Sequence, residues 1–495
     1  MKKIAIILSE MLFAIQLHGQ DYLDALRFSQ TFLGGTARYN AMSGAFGAVG
    51  GDFSTLSSNP AGLGIYRGSE FIFSPALSTN VATSKFYGTT MEDFTYTFNI
   101  GNIGFVGTSM NAREVGVVST SYAFGYNRLA DFNQSVIIEG INTESSLSDY
   151  FLHNAHGYHP DDLDDYYERL AYDAYVIDIW DTNINSYIAN ISVPEKQRKV
   201  INTGGHIGEW VFSMATNIEN KFFLGGTLGI QSLRYLQKNT HTEFSLFDDD
   251  PIQQFSFREE LFVRGTGFNF KAGIIAQPVS MLRLGAALHL PTFYRIKEDY
   301  YTTMQSGGLY GDIEQKPTDY NGYRLPHINN SYSLNGPTSM KTLPLKASGS
   351  AALIMEKRAV VSVEYEYVDY STMRLRDGKQ YDEFVDKNAT IKNTFHATGN
   401  LKTGMEIKYE NLAIRFGYAL FGSPYRSRQK NAKAATNFYS GGIGYRQGNV
   451  SFDLAYIVKD YSINYKLYDV WGYTEPWAKI TSSTGDIVAS VGFRF

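Results

Sequence analysis

Ile487-Val488-Ala489-Ser490-Val491-Gly492-Phe493-Arg494-Phe495 closes the chain, and its alternation decides the fold. Ile487, Ala489, Val491, Phe493 and Phe495 share one face, and Ser490, Gly492 and Arg494 share the other. A repeat of two belongs to a β-strand, whose successive side chains point to opposite sides. A strand with one face suited to lipid and the other to a polar lumen is the unit of a transmembrane β-barrel in a bacterial outer membrane.

Working back from that segment, the same alternation recurs in fourteen stretches: 69–86, 93–110, 116–130, 206–217, 221–238, 257–277, 281–299, 342–356, 359–370, 395–409, 412–420, 437–447, 450–465 and 485–495. Strand 359–370 sets Val361, Val363, Tyr365 and Tyr367 opposite Ser362, Glu364 and Glu366. Strand 281–299 sets Leu282, Leu284 and Leu288 opposite Arg283, Gly285 and His289, and strand 450–465 sets Phe452, Leu454 and Tyr456 opposite Asp453 and Lys459. A charge on the lipid face at mid-depth costs roughly 2–4 kcal/mol, so the charged faces look inward. Lys271, Lys346, Lys402, Glu406, Arg415 and Arg446 are luminal by the same rule. A lumen carrying both signs is no simple pore with one ring of charge; something fills it.

Every second connection is short: Asn111–Glu114, Ile218–Asn220, Pro278–Ser280, Lys357-Arg358, Glu410-Asn411 and Gly448-Asn449. Outer-membrane barrels have short periplasmic turns and long extracellular loops, so these turns and both chain ends are expected on the periplasmic side. The connections 131–205, 300–341 and 371–394 then face outward.

Composition fits a barrel and excludes other classes. Aromatic residues make up 15% of the 495, with 36 Tyr and 33 Phe, the types favoured in strands and in interfacial girdles. Mean hydropathy is −0.24, and beyond residue 20 there is no apolar run near the length of about 18–20 that a spanning helix needs. A net charge of −5 without a dense Lys/Arg stripe argues against nucleic acid. The absence of Cys excludes a lipid anchor, disulfides and Cys-ligated metals. Residues 1–20 read as a secretory signal: Lys2 and Lys3, a mostly apolar stretch from Ile4 to Leu17, then Gly19 before Gln20.

Residues 21–66 do not alternate. They hold Gly34-Gly35-Thr36-Ala37-Arg38, the small-residue stretch Ala41 to Asp52, and Ser57-Ser58-Asn59-Pro60-Ala61-Gly62-Leu63. Small residues let a backbone pack closely and turn sharply, as a segment coiled inside a barrel must. The glycines do not follow the dinucleotide pattern, and no Gly-Lys-Ser/Thr occurs.

This order of a Gly/Ala-rich stretch, an Asp, Asn59-Pro60-Ala61, a barrel and a terminal Phe resembles the outer-membrane transporters of long-chain fatty acids and other hydrophobic compounds of the FadL/TodX type. The resemblance is most specific from Gly44 to Leu63; the barrel matches in strand number and loop order. It implies an all-β fold: a fourteen-stranded antiparallel barrel (67–495) with an N-terminal hatch (21–66) inside the lumen and helical extracellular loops. It also implies passive diffusion of apolar ligands, which enter from outside and leave sideways into the bilayer beside a kinked third strand.

A pocket for such ligands is mostly apolar with a few placed polar groups. Candidate contributors are Phe28, Phe32, Leu33, Phe46, Leu63 and Ile65; the alternative is that they pack the hatch against the wall. Asn59 and Pro60 are expected to hold a hatch turn against the third strand, around Ser119 to Arg128, where Gly125 permits a bend or bulge and so a lateral gap. Asp161 to Trp180, in the long connection 131–205, has Leu163, Tyr167, Leu170, Ala174 and Ile177 at spacings suited to a helix after Pro160, a candidate landing groove or a cap over the mouth.

His153, His156 and His159, followed by Asp161 and Asp162, form the most metal-like cluster, with a solvated loop as the plainer reading. Asp248-Asp249-Asp250 lacks the Gly and terminal Glu of a calcium loop. No hydrolase or kinase motif occurs, so no catalysis and no cofactor are expected. The partners expected are a hydrophobic small molecule, outer-membrane lipid and lipopolysaccharide, with the chain monomeric. Two other functions stay open: a docking or structural barrel, such as a secretion component, and haem uptake resting on the histidines.

Overall fold

The computed structural model describes residues 22–111, 115–180, 183–309, 311–317, 328–334, 344–356, 358–376 and 384–495. The signal segment 1–20, residues 112–114 and Lys357 of the turns lie outside them.

Fourteen antiparallel strands close into a barrel: β1 (Glu70–Phe86), β2 (Thr89–Met110), β3 (Val117–Asp131), β4 (Glu195–Ile218), β5 (Phe222–Ser245), β6 (Ile252–Val279), β7 (Leu282–His289), β8 (Lys346–Met355), β9 (Ala359–Asp369), β10 (Ala397–Tyr409), β11 (Leu412–Phe421), β12 (Thr436–Gln447), β13 (Val450–Lys466) and β14 (Trp477–Arg494). Each pairs with its sequence neighbour, and β14 returns to β1 with Phe493 opposite Phe71 and Arg494 opposite Glu70. Closure removes the free edges that an open sheet would present to lipid.

The faces fall as alternation demands. Phe493, Phe452, Leu454, Tyr456, Val361, Val363, Leu284 and Leu288 are exposed on the outside. Glu364, Lys402, Glu406, Arg415 and Lys271 are buried on the inside. One segment differs from expectation: 281–299 is two strands. β7 stops at His289, Leu290-Pro291-Thr292 breaks the ladder, and Phe293–Gly308 runs on along β6, with Tyr294 opposite Gly267. Pro291 supplies no N–H to a ladder, which makes the break local to it.

Residues from Tyr22 to Ile65 sit inside the barrel as short helices and turns: α1 (Tyr22–Ser29), α2 (Ala37–Ala41) and 3-10 turns at Phe53–Ser57 and Pro60–Ile65. The luminal charges hold them. Arg38 donates to both Glu406 oxygens at 2.9 and 3.2 Å, and Arg415 joins Glu406 to Asp453 at 2.6 Å each. The Gly47 amide donates to Glu364, itself paired with Lys402 at 2.9 Å, and Ser57 Oγ donates to Glu209, paired with Lys271. Thr36 caps α2 and donates to Asp52, which caps the next turn through Ser54 N. A removed partner in such buried pairs leaves an uncompensated charge, so these pairs fix the inner segment to the wall.

The expected periplasmic position of the chain's first residues falls outside the described residues. Tyr22 lies on the long-loop side, its ring 6.0 Å from that of Phe395, whereas Phe495 lies on the short-turn side, paired with Ser69. From Tyr22 the described chain runs down through the barrel to β1.

The cap over the loop end is less helical than its periodicity suggested. Leu147–Ala155 forms α3, whose N-cap Ser146 completes a capping box with Asp149. From Asp161 to Trp180 only Glu168–Asp173 is α-helix (α4), preceded by a 3-10 turn at Pro160–Asp162. Tyr175, with φ at 57°, ends the helical run, and Ile177–Trp180 is a strand.

Candidate functional site

Three glycines bring the inner segment against the wall where the wall parts. β2 and β3 pair from Met110↔Ser119 only to Asn102↔Asn127. Above that level β2 continues to Thr89 with a backbone ladder to β1 alone. At the parting, a Cβ on Gly34 would lie 2.1 Å from Arg128 O, and one on Gly101 would lie 3.0 Å from Gly35 O. Gly35 itself has φ at 106°, a conformation that side chains disfavour. Phe32 N donates to Leu129 O at 3.0 Å, so backbone meets backbone along this sill.

Two irregularities accompany the break. β1 and β2 shift register between Ser74 and Pro75, opposite Asn102 and Ile100. β3 and β4 shift between Arg128 and Ala130, and the packed Leu129 side chain goes to the core beneath the cap. Pro75 cannot donate to a ladder, so its place in mid-strand was a readable sign of a bulge.

Behind the parting lies a cavity of about 430 Å³. Its lining includes both sides of the opening: Thr95, Thr97, Asn99 and Gly101 of β2 on one, and Arg128, Asp131 and Gln134 on the other. Its apolar lining comes from Leu26 of α1, from Val136 and Ile201 next to the opening, and from Phe438, Ile457 and Ile480 of β12 to β14. Two of its charges are paired, Arg128 with Asp131 at 2.5 Å and Arg27 with Asp24. Lys459 makes no ion pair among the described residues; its ammonium sits 5.1 Å from the Phe32 ring centroid. The cavity surface is mostly apolar, with polar groups at the opening and others, such as Asn80, Gln237, Lys459 and Asp486, around the rest of the lining, which suits an apolar molecule that carries a polar end.

Across the inner segment from it, on the side of β5 to β10, a second space of about 110 Å³ has another character, with Lys271, Lys346, Lys402, His289 and Glu366 in its lining. Lys346 donates to Thr31 Oγ1 at 2.7 Å, and His289 lies 2.5 Å from Ser58 O. Phe32, Leu33 and Gly34 line both spaces and separate them.

The sequence-proposed residues divide accordingly. Phe32 and Leu33 line both cavities, and Phe28 lines the smaller while its ring packs on Phe132 and Tyr235. Phe46, Leu63 and Ile65 line neither; Phe46 packs with Tyr39 and Met42, Leu63 with Phe53 and Leu56, and Ile65 against Ala61 and Phe223. Thr97, Gly101 and Lys459 are the residues the site adds.

Asn59, Pro60 and Ala61 do not face β3. Asn59 Nδ2 donates to Gly47 O at 2.6 Å and to Ile274 O at 3.3 Å, and its Oδ1 accepts from Ala61 N. The turn seats on Gly225 of β5 and Gly273 of β6, where side chains would collide with Pro60 and Asn59. Gly125 is likewise not the break. It pairs with Gly104 in unbroken register, and its missing side chain makes room for the Phe53 ring, which a Cβ would approach to 2.6 Å.

In the cap, Leu163, Tyr167, Leu170, Ala174 and Ile177 are buried in one cluster, so this face packs and presents no apolar groove. The three histidines have separate partners. His153 stacks on Trp471 with ring centroids 3.9 Å apart, His156 Nδ1 accepts from Tyr187 N, and His159 Nδ1 accepts from Asp161 N. Asp250 accepts from Ser192 N, Ser192 Oγ and Ser245 Oγ.

No family model and no curated protein matches the chain. Solved structures do. A FadL homologue of Pseudomonas aeruginosa superposes with a TM-score of 0.54 at 14% identity, over 94% of this chain and 99% of that one. The toluene transporter TodX of Pseudomonas putida superposes with a TM-score of 0.53 at 12% identity, over 94% and 100%. The fold is that of the FadL-type barrels.

Proposed function

We propose that this chain is an outer-membrane barrel that passes hydrophobic small molecules by passive diffusion, from the loop side into the 430 Å³ cavity and out sideways between β2 and β3. The observation that carries the reading is that one cavity is bounded both by apolar wall and by the two edges of the wall opening. An apolar molecule in that chamber gains nothing by passing into the second space, which is smaller and carries three lysines, His289 and Glu366 in its lining. The names of the two similar structures, a FadL homologue and a toluene transporter, support the same class of cargo. In this reading the barrel lies in the outer membrane of a Gram-negative bacterium, with short turns in the periplasm and long loops among lipopolysaccharide. The inner segment 21–66 acts as hatch, and a single chain suffices.

The experiment is uptake of labelled long-chain fatty acid or of a hydrocarbon by cells expressing the protein, with Thr97→Trp as the blocked form. Thr97 sits on the edge of the opening where β2 has no second strand to satisfy, so the variant keeps its fold. Wild-type uptake that collapses in Thr97→Trp supports the reading; equal uptake by both rejects lateral exit. A second reading, a docking barrel, is favoured by the outward row Phe94, Tyr96 and Phe98 beside the opening, 63%, 67% and 71% exposed. Absence of uptake by the wild type, with a protein co-purifying through that row, would replace the first reading with this one.

A further inference from the structure

We propose that the contact between Asp93 and Ser135 is a strap across the top of the wall opening, and that it sets the bulk of the largest cargo able to leave. The inference rests on the lateral exit proposed above and concerns what limits it.

The opening has a rigid base and a yielding side. At the base, Gly34, Gly35 and Gly101 bring backbone against backbone, with no space for a side chain; backbone in contact on both faces does not retreat. On the far side, Arg128 to Asp131 and the following strand Gln134–Asn142 are hydrogen-bonded along β4. The near side is different. From Gly101 to Thr89, β2 has a ladder to β1 alone, while β1 is itself paired with β14 as far as Lys85, so β2 is the free edge of the wall here. An edge strand paired on one side only is the part of a sheet with the least support.

Asp93 ties that free stretch to the far side. Ser135 Oγ lies 2.6 Å from Asp93 Oδ2 and 2.7 Å from Asn202 Oδ1 of β4. A hydroxyl has one proton, so it donates to one of these oxygens. With the Asn202 amide turned, Nδ2 donates to Ser135 and Ser135 donates to Asp93, a continuous relay from the paired wall to the edge strand. Higher up, Ser84 Oγ of β1 donates to Ile137 O at 2.6 Å, and Gly140 approaches Phe86 O so closely that a Cβ would lie at 2.7 Å. That upper closure is a hinge line; the strap is the lowest tie above the gap and so bounds its height. A charged hydrogen bond of this kind holds the ordinary width firmly, yet one bond breaks without disturbing any barrel ladder.

The test is a graded uptake series, from a straight-chain acid through bicyclic to tetracyclic apolar acids, in cells or proteoliposomes. Wild type, Asp93→Ala, Ser135→Ala and an Asp93→Cys/Ser135→Cys pair are compared, each first shown to be folded by heat-modifiable mobility. Loss of the strap should raise uptake of the bulkiest members severalfold and leave the slimmest unchanged. Joining the two cysteines with a short bismaleimide should reduce the bulkiest members and spare the slimmest. Bulky-to-slim ratios equal to wild type in every variant overturn the strap while leaving lateral exit intact. A wild type that moves no member of the series overturns the transport reading itself, a separate outcome.

Discussion

Asn59 occupies the space that a side chain at Gly273 would need: a Cβ on Gly273 would lie 1.9 Å from Asn59 Oδ1. The turn at Asn59-Pro60 is therefore keyed to β6, on the wall away from the opening. Replacing Gly273 by Val should expel the turn, at an overpacking cost of about 1–3 kcal/mol, while the ladders of β6 stay whole. Limited proteolysis of the folded barrel should then cut between residues 47 and 66. Asn59→Ala should act in the same direction but more weakly, because it removes hydrogen bonds without adding a clash. Resistance of both variants equal to wild type would refute the key.

A second expectation concerns the charges that hold the inner segment. Glu406 lies between Arg38 and Arg415, so Glu406→Gln leaves two buried guanidinium groups facing one another. Removal of one partner from a buried pair costs about 3–5 kcal/mol. The loss should fall on the inner segment, seen as a lowered midpoint for protease access around α2, with the barrel's own unfolding in urea moved much less. Arg38→Ala should free the segment too, yet leave Glu406 paired to Arg415.

These two sites show what the sequence could and could not tell. Glu364, Glu406, Lys402 and Arg415 were legible as luminal because a charge in lipid is costly and a strand repeat of two leaves only one alternative. The partner of Asn59 was not legible, because a seat on Gly225 and Gly273 is a contact between elements more than 160 residues apart with no periodicity of its own. The opening was half legible. Pro75 marked the bulge, but which pair of strands parts depends on where the inner backbone crosses, at Gly34 and Gly35. The apolar residues of 161–180 misled because burial under a cap uses the same side chains as a helix face, and a positive φ at Tyr175 has no signature in the pattern.

The cap should respond to pH through Glu168 of α4. Burial pushes its carboxyl up to about 7 from 4.5, with Asp164 adding to the rise and hydrogen bonds from a backbone amide and Asn154 opposing it. A raised carboxyl is favoured neutral in the folded cap. Its contribution is complete below 4.5 and is lost as pH climbs from 4.5 through about 7. Protease access to the loops around α3 and α4 should therefore increase between pH 5 and pH 8, and Glu168→Gln should flatten that dependence at the protected level. An unchanged slope in Glu168→Gln would assign the pH response elsewhere.

The last expectation concerns Phe32, the ring between the two chambers. It lines the apolar cavity and the charged space beside it, and packs on Phe421 and Phe438 at 5.8 and 6.0 Å with the Lys459 ammonium over it. An apolar ligand gains from the larger chamber roughly in proportion to the apolar surface it buries, about 25 cal/mol per Å². Phe32→Ala removes one wall and joins the chamber to three lysines and Glu366, whose water of solvation then enters. Space increases, but affinity should fall, because the added surface is polar and Lys459 loses the ring that covers it. Binding of a polarity-sensitive apolar fluorophore to purified protein measures this: weaker binding with red-shifted emission is expected, while heat-modifiable mobility stays that of a folded barrel. Binding as tight as wild type with unshifted emission would mean that the ligand rests higher, among the loop-side residues, and that Phe32 serves only to pack the inner segment.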